Sequence, residues 1–176
     1  MSKPEFSRMY RLDTIGEGAR AVAIAAEPGE RAALAERFGL IALDRLEAEA
    51  SLRRAGTIVH VDGALRADAV QPCVATGDPV PAALDVPFTL RFVPEADLAS
   101  ADEIELSEED CDAIPYVSGA IDLGEAVAET LSLALDPFPR SAHADAALRA
   151  AGVVREEDHA PASPFGALKG LFPKAE

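Results

Sequence analysis

A protein that binds a metal or runs nucleophilic chemistry needs ligands, or a nucleophile and its base, at short regular spacing. The residues of that kind in this chain are few: Cys73, Cys111, His60, His143 and His159. None stands in a C-x-x-C or H-x-x-x-H pair, the spacings by which two side chains reach one tetrahedral ion. Two ordinary small thiols and a histidine on the polar side of a strand are the simpler reading. Gly16-x-Gly18 lacks the third glycine and the flanking βαβ unit of a dinucleotide site, and there is no G-x-S-x-G, P-loop or H-E-x-x-H pattern. Adjacent carboxylates such as Glu108 and Glu109 lie inside a run of acids and read as solvated surface. The expectation is a protein that is not an enzyme, with no catalytic residue, no metal ligand and no cofactor.

Charge is the next candidate for function. The chain has 176 residues, 31 acidic against 16 Lys and Arg, and a formal charge of −15, with 49% apolar residues. That apolar share places it among folded chains rather than disordered ones. Between Phe92 and Pro139 there are 13 acids and no Lys or Arg, so the remainder is nearly neutral. Phosphate contact requires clustered Lys or Arg. The polar parity of the central strands carries Arg45, Arg53, Arg66 and Arg91 with His60, interleaved with Glu47, Glu49, Asp62, Asp68 and Asp85. That is four full positive charges against five negative, with no aromatic residue for a base to stack on. A uniformly basic nucleic-acid binder is excluded, and any RNA contact would have to be local or made through another protein.

The elements that must position these residues follow from periodicity. Residues 4–12 and 18–26 read as short strands joined near Gly16 and Gly18. Pro28 opens a helix to Phe38, with Leu34 and Phe38 on one face and Gly39 as its stop. From Leu46, apolar Leu46, Ala48, Ala50 and Leu52 alternate with Glu47, Glu49, Ser51 and Arg53, as in a strand with one wet face. After a turn at Ala55-Gly56 the next strand points Val59, Val61, Leu65 and Ala67 inward. A third follows Gly77-Asp78, with Val80, Leu84, Val86, Phe88, Leu90 and Phe92 on one parity. The expectation is an antiparallel meander of three long strands. Residues 94–112 read as an acidic excursion. Asp122 caps a helix over 122–136, with Glu125 at the capping-box position, a stripe of Leu123, Val127, Leu131, Ala134 and Leu135, and Pro137 and Pro139 beyond. A helical stretch over Ser141–Ala151, a polar linker and a capped segment at Ser163-Pro164 with Phe165, Leu168 and Phe172 complete the chain. The N-terminus has no leader-like apolar run and no stretch is long enough to span a membrane, so a cytoplasmic protein is expected.

Three segments in order, VDGALRADAVQPCVATGDPV, IDLGEAVAETLSLALDPFPR and PFGALKGL, resemble the YceD family of bacterial proteins over about residues 58–172. The resemblance implies a cytoplasmic role in accumulation of large-subunit ribosomal RNA, hence in ribosome biogenesis, with no catalytic residues. Many members carry C-x-x-C at the turn after the central strand, often with a further cysteine after the Pro-rich helix end. Here Cys73 is retained, Thr76 holds the second position and SAHAD has no cysteine. If the motif binds metal in relatives, this chain lacks the set. The turn itself reads as structural, Pro72 and Gly77 punctuating it and Thr76 able to hydrogen-bond its backbone.

The expected fold is α+β, an antiparallel β-sheet of about five strands with a packed helix and a partly mobile helical C-terminal tail. Residues 1–139 form one domain with its acidic excursion at 94–112, and residues 140–176 form the tail. The candidate interaction or family-motif residues are Cys73, Thr76, Arg66, Asp122, Glu125, Phe165 and Leu168. The expected partners are the large-subunit precursor or a basic ribosomal protein, with no membrane. The alternative is an acidic adaptor that binds a basic partner by electrostatic steering and without RNA contact.

Overall fold

A computed structural model describes residues 4–95 and 113–153. In chain order it contains β1 (Met9–Arg11), a 3-10 turn (Leu12–Thr14), β2 (Arg20–Ala25), α1 (Pro28–Arg37), β3 (Ala42–Ala55), β4 (Ile58–Pro72) and β5 (Pro79–Pro94). These are followed by β6 (Ala113–Tyr116), β7 (Ala120–Asp122), α2 (Leu123–Ala134) and α3 (Ala144–Ala150). The fold is α+β, as the alternating strand patterns and the capped helix predict.

The three long strands form the expected meander. Leu52 pairs with Val61 and Val61 with Leu90, so one parity of each strand reaches the same face. Leu46, Leu52, Val59, Val61, Leu65 and Phe92 are all at most 2% exposed on that inner face. Charged and small residues occupy the other face, because a strand's side chains alternate across the sheet. Leu43 is buried although its parity is opposite to that of Leu46. The register shifts between Leu43 and Arg45, and this bulge re-aims the start of the strand. α1 packs along β3, and α2 meets β1, β4 and β5, placing Leu123, Val127 and Leu131 in the core.

The full sheet order is β2-β3-β4-β5-β6. Its five strands are mostly antiparallel, as expected, with one parallel edge where β6 joins β5, Arg91 opposite Ala113 and Pro94 opposite Tyr116. One sequence expectation needs correction. The N-terminal strand is only Met9–Arg11 and pairs with β7, not with β2, as a separate two-stranded ribbon. It has too few residues to carry a periodicity, and its partner lies more than a hundred residues away in sequence. β6 covers only the last four residues of β5, so Pro79 to Leu90 is a sheet edge, and Pro79, Pro81 and Pro87 share one parity along it. Prolines at alternate positions remove donors that would otherwise recruit another strand.

The acidic excursion falls almost wholly on 96–112, and the segment with Phe165 and Leu168 lies beyond 153. Both are outside the described residues. The helical stretch expected over Ser141–Ala151 is α3, which buries Ala144.

Candidate functional site

The Cys73 turn is built by the β4–β5 hairpin. The Cys73 N–H donates to the Asp78 carbonyl and the Gly77 N–H to the Cys73 carbonyl, both at 2.8 Å. Gly77 has φ +75°, a backbone region that glycine enters without penalty. Thr76 Oγ1 accepts the Asp78 N–H at 3.3 Å, as expected of a turn threonine, and also donates to Asp78 Oδ2 at 2.8 Å. The sequence does not reveal that this turn is fastened to the segment leaving α2. The Val74 N–H donates to the Pro139 carbonyl at 2.9 Å. Ser141 Oγ donates to Asp78 Oδ2 at 3.2 Å and lies 3.3 Å from Thr76 Oγ1. Nearby, buried Gln71 donates Nε2 to the Asp136 carbonyl at 2.8 Å.

Cys73 is 3% exposed. The Ser141 main-chain N–H first, and then the neighbouring Thr76 hydroxyl, hold the thiol down to about 6, against the upward push of burial. The donors gathered around this turn are one thiol, one carboxylate and two hydroxyls. Zinc selects Cys and His in sets of three or four, so these residues do not fit a zinc centre. Among the described residues no group of three or more His, Cys, Asp or Glu converges.

Asp122 and Glu125 lie at the other end of α2. Asp122 Oδ1 accepts the Gly124 N–H at 3.0 Å and the Glu125 N–H at 3.2 Å, which is the expected N-cap. The same carboxylate also accepts the Arg8 N–H at 2.8 Å and the Ser7 hydroxyl at 2.5 Å. Glu125 does not close a capping box on Asp122. Both of its oxygens accept from Arg37 at 2.9 and 3.1 Å, and Arg37 also pairs with Glu5 at 2.9 Å. A long-range guanidinium outcompetes the local N–H because it offers two charge-assisted bonds. The reciprocal box occurs instead at α1, between Glu27 and Glu30. Gly124 is a further residue of this hub. A methyl group placed on it would lie 2.6 Å from the Phe6 carbonyl oxygen and 2.8 Å from the Arg8 nitrogen. A glycine two residues after a capping aspartate was its sequence signal.

Arg66 stands on the outer sheet face, apart from both clusters, and its Nε lies 3.3 Å from Asp85 Oδ2. Arg45 there pairs with Asp68 at 2.9 Å and Glu47 at 3.2 Å. Their charge is therefore compensated within the sheet.

Two cavities flank α2. One of about 600 Å³ lies at its C-terminal end, beside the Cys73 turn, lined by Phe38, Leu40, Val74, Leu133 and Pro139 among others. Val74, Leu133 and the neighbouring Phe138 are 55%, 88% and 72% exposed. The other, about 510 Å³, lies at the N-terminal half of α2 against β6 and the β1–β7 ribbon.

A family model described as Large ribosomal RNA subunit accumulation protein YceD matches residues 61–172. No curated protein and no solved structure matches the chain. Among the described residues no helix is long and apolar enough to cross a membrane.

Proposed function

The chain belongs to the YceD family, and from that membership we propose that it is a non-catalytic, cytoplasmic ribosome-biogenesis factor supporting accumulation of large-subunit (23S) ribosomal RNA. The observation that carries this reading is the extent of the match, which takes in most of β4, the Cys73 turn, α2 and the segment leaving α2 through Ser141. A binding role is supported by what the polar residues of that region do. Thr76, Asp78, Ser141, Asp122 and Glu125 join one element to another, and Val74, Leu133 and Phe138 leave apolar surface at the joined end. Exposed apolar surface grouped around a cavity is the ordinary mark of a contact site. The charge distribution favours a basic protein of the large-subunit precursor over naked RNA as the immediate contact, because Arg45 and Arg66 of the sheet are balanced by acids.

The test is a deletion strain. Large-subunit RNA and free large subunits should fall relative to the small subunit and recover with the wild-type chain. They should not recover with the double variant Leu133→Asp, Phe138→Asp, whose sites have no role in the core. Normal large-subunit RNA in the deletion strain would remove the reading.

A further inference from the structure

We infer that the open edge of β2 is a docking site for an extended protein segment, added as a further antiparallel strand, in which Lys or Arg alternates with Val or Ile. The Ala26 N–H donates to the Leu46 carbonyl at 2.9 Å, which fixes the even-numbered positions as those that face β3. Hydrogen-bonding groups alternate sides along a strand, so Ala21, Ala23 and Ala25 turn their N–H and C=O groups to the open side. Arg8 Nη2 takes the Ala25 carbonyl at 2.9 Å and closes that end. Among the described residues nothing else hydrogen-bonds these groups, and β2 is the terminal strand of its sheet. The edge at β5 carries prolines at its outward-facing positions. β2 has no proline, and its register with β3 is unbroken from Arg20 to Ala25. An edge left without such a guard accepts a peptide by strand addition.

The side chains specify the guest. On the outer face Ala23 lies opposite Glu49 and Ala25 opposite Glu47, and these four line a hollow of about 240 Å³ with Ala64 and Arg66. Because alanine is short, the first charges an added strand meets there are the two carboxylates. They stand two strand spacings away, about 10 Å, within reach of an extended Lys or Arg. Glu49 is exposed and has no ion pair among the described residues, and Glu47 shares Arg45 with Asp68. Arg66 lies one strand further in, opposite Glu47, and is held by Asp85. On the inner face half-buried Val22 offers apolar contact to the alternate residues of the guest. A second copy of the chain fits poorly, since the outward parity of β2 holds only alanine and two chains of charge −15 repel. An RNA has no peptide backbone for the edge to pair with. None of these residues lines the cavity beside the Cys73 turn, and the docking chemistry does not depend on the ribosome-assembly reading.

The probe is a fluorescein-labelled peptide of repeating Lys-Val, read by anisotropy with the full chain. In the antiparallel arrangement the lysines sit beside Ala21 and Ala23 and aim their N–H groups at the edge, while the valine N–H groups face solvent. Methylating the lysine backbone nitrogens should weaken binding about tenfold, the worth of two backbone hydrogen bonds, and methylating the valine nitrogens should not. Glu49→Lys should weaken the unmethylated peptide about fivefold at low salt and less at high salt. Ala23→Pro, which removes an edge donor and no bond to β3, should weaken it as well. The methylated peptides and Glu49→Lys decide the matter even if Ala23→Pro does not fold. Equal affinity for the two methylated peptides, or an affinity that Glu49→Lys leaves unchanged, would overturn the site. So would a single-stranded RNA oligonucleotide that displaces the peptide and binds more tightly, or self-association of the chain abolished by Ala23→Pro, which would make a second copy the occupant.

Discussion

At the residue scale, Asp122 shows how one side chain serves two parts of the chain at once. Its carboxylate caps α2 and receives Ser7 and the Arg8 N–H from the other end of the sequence. Cys73 offers a sharper test. The Ser141 N–H, and after it the Thr76 hydroxyl, bring the thiol from an ordinary 9.0 to about 6. Between those values the folded chain holds a thiolate while the unfolded chain holds a thiol. The unfolded state therefore binds more protons, and stability must rise with pH across that window. Below about 6 the gain is lost. With Cys111→Ser as the background, ultraviolet thiolate absorbance should titrate near the lower value. Adding Cys73→Ala should flatten the pH dependence of urea stability. A thiol titrating near its ordinary value would show that the junction donors do not reach the sulfur.

At the scale of elements, two glycines mark where backbones approach too closely for a side chain. Gly63 lies in the middle of β4 on the inner face. A methyl group there would stand 2.5 Å from the Glu49 carbonyl oxygen and 2.7 Å from the Phe88 ring. Phe88 thus covers the position that a side chain would otherwise fill. Gly124 does the same between α2 and the segment leading into β1. Overpacking of this kind costs about 1–3 kcal/mol, so Gly63→Ala and Gly124→Ala should each lower the urea midpoint accordingly. Alanine at the exposed Gly18, where nothing lies within 4 Å, should be nearly neutral. Equal effects at all three positions would show that close approach does not set the cost.

At the scale of the whole molecule, Arg37 ties α1 to both the N-terminal segment and α2 through Glu5 and Glu125. All three side chains are about a third exposed or less, so solvent screens the pairs only in part. Arg37→Ala should cost about 1 kcal/mol at low salt and less at high salt, measured by urea unfolding at two ionic strengths. A loss independent of salt would assign the effect to its packing on the Phe38 ring, 5.3 Å away. The same scale gives meaning to the charge of −15. Its excess lies in the stretch of sequence from Phe92 to Pro139, leaving the strands β2 to β5 close to neutral.

The sequence alone determined what is local and periodic. The three long strands were legible because alternation over more than ten residues admits one buried face. α1 and α2 were legible because Pro28 and Asp122 mark helix starts and apolar stripes follow them. Pro72, Thr76 and Gly77 likewise announced a turn at Cys73. Tertiary structure alone decided the rest, because it depends on groups far apart in the chain. β6 and β7 are four and three residues long, too short to have a period, and exist because β5 and β1 offer them partners. Glu125 meets Arg37 rather than its own helix end because the fold brings a bidentate cation within reach. The Cys73 turn becomes a junction only when Pro139 and Ser141 arrive from the far end of α2, a contact across more than sixty residues that no local pattern encodes.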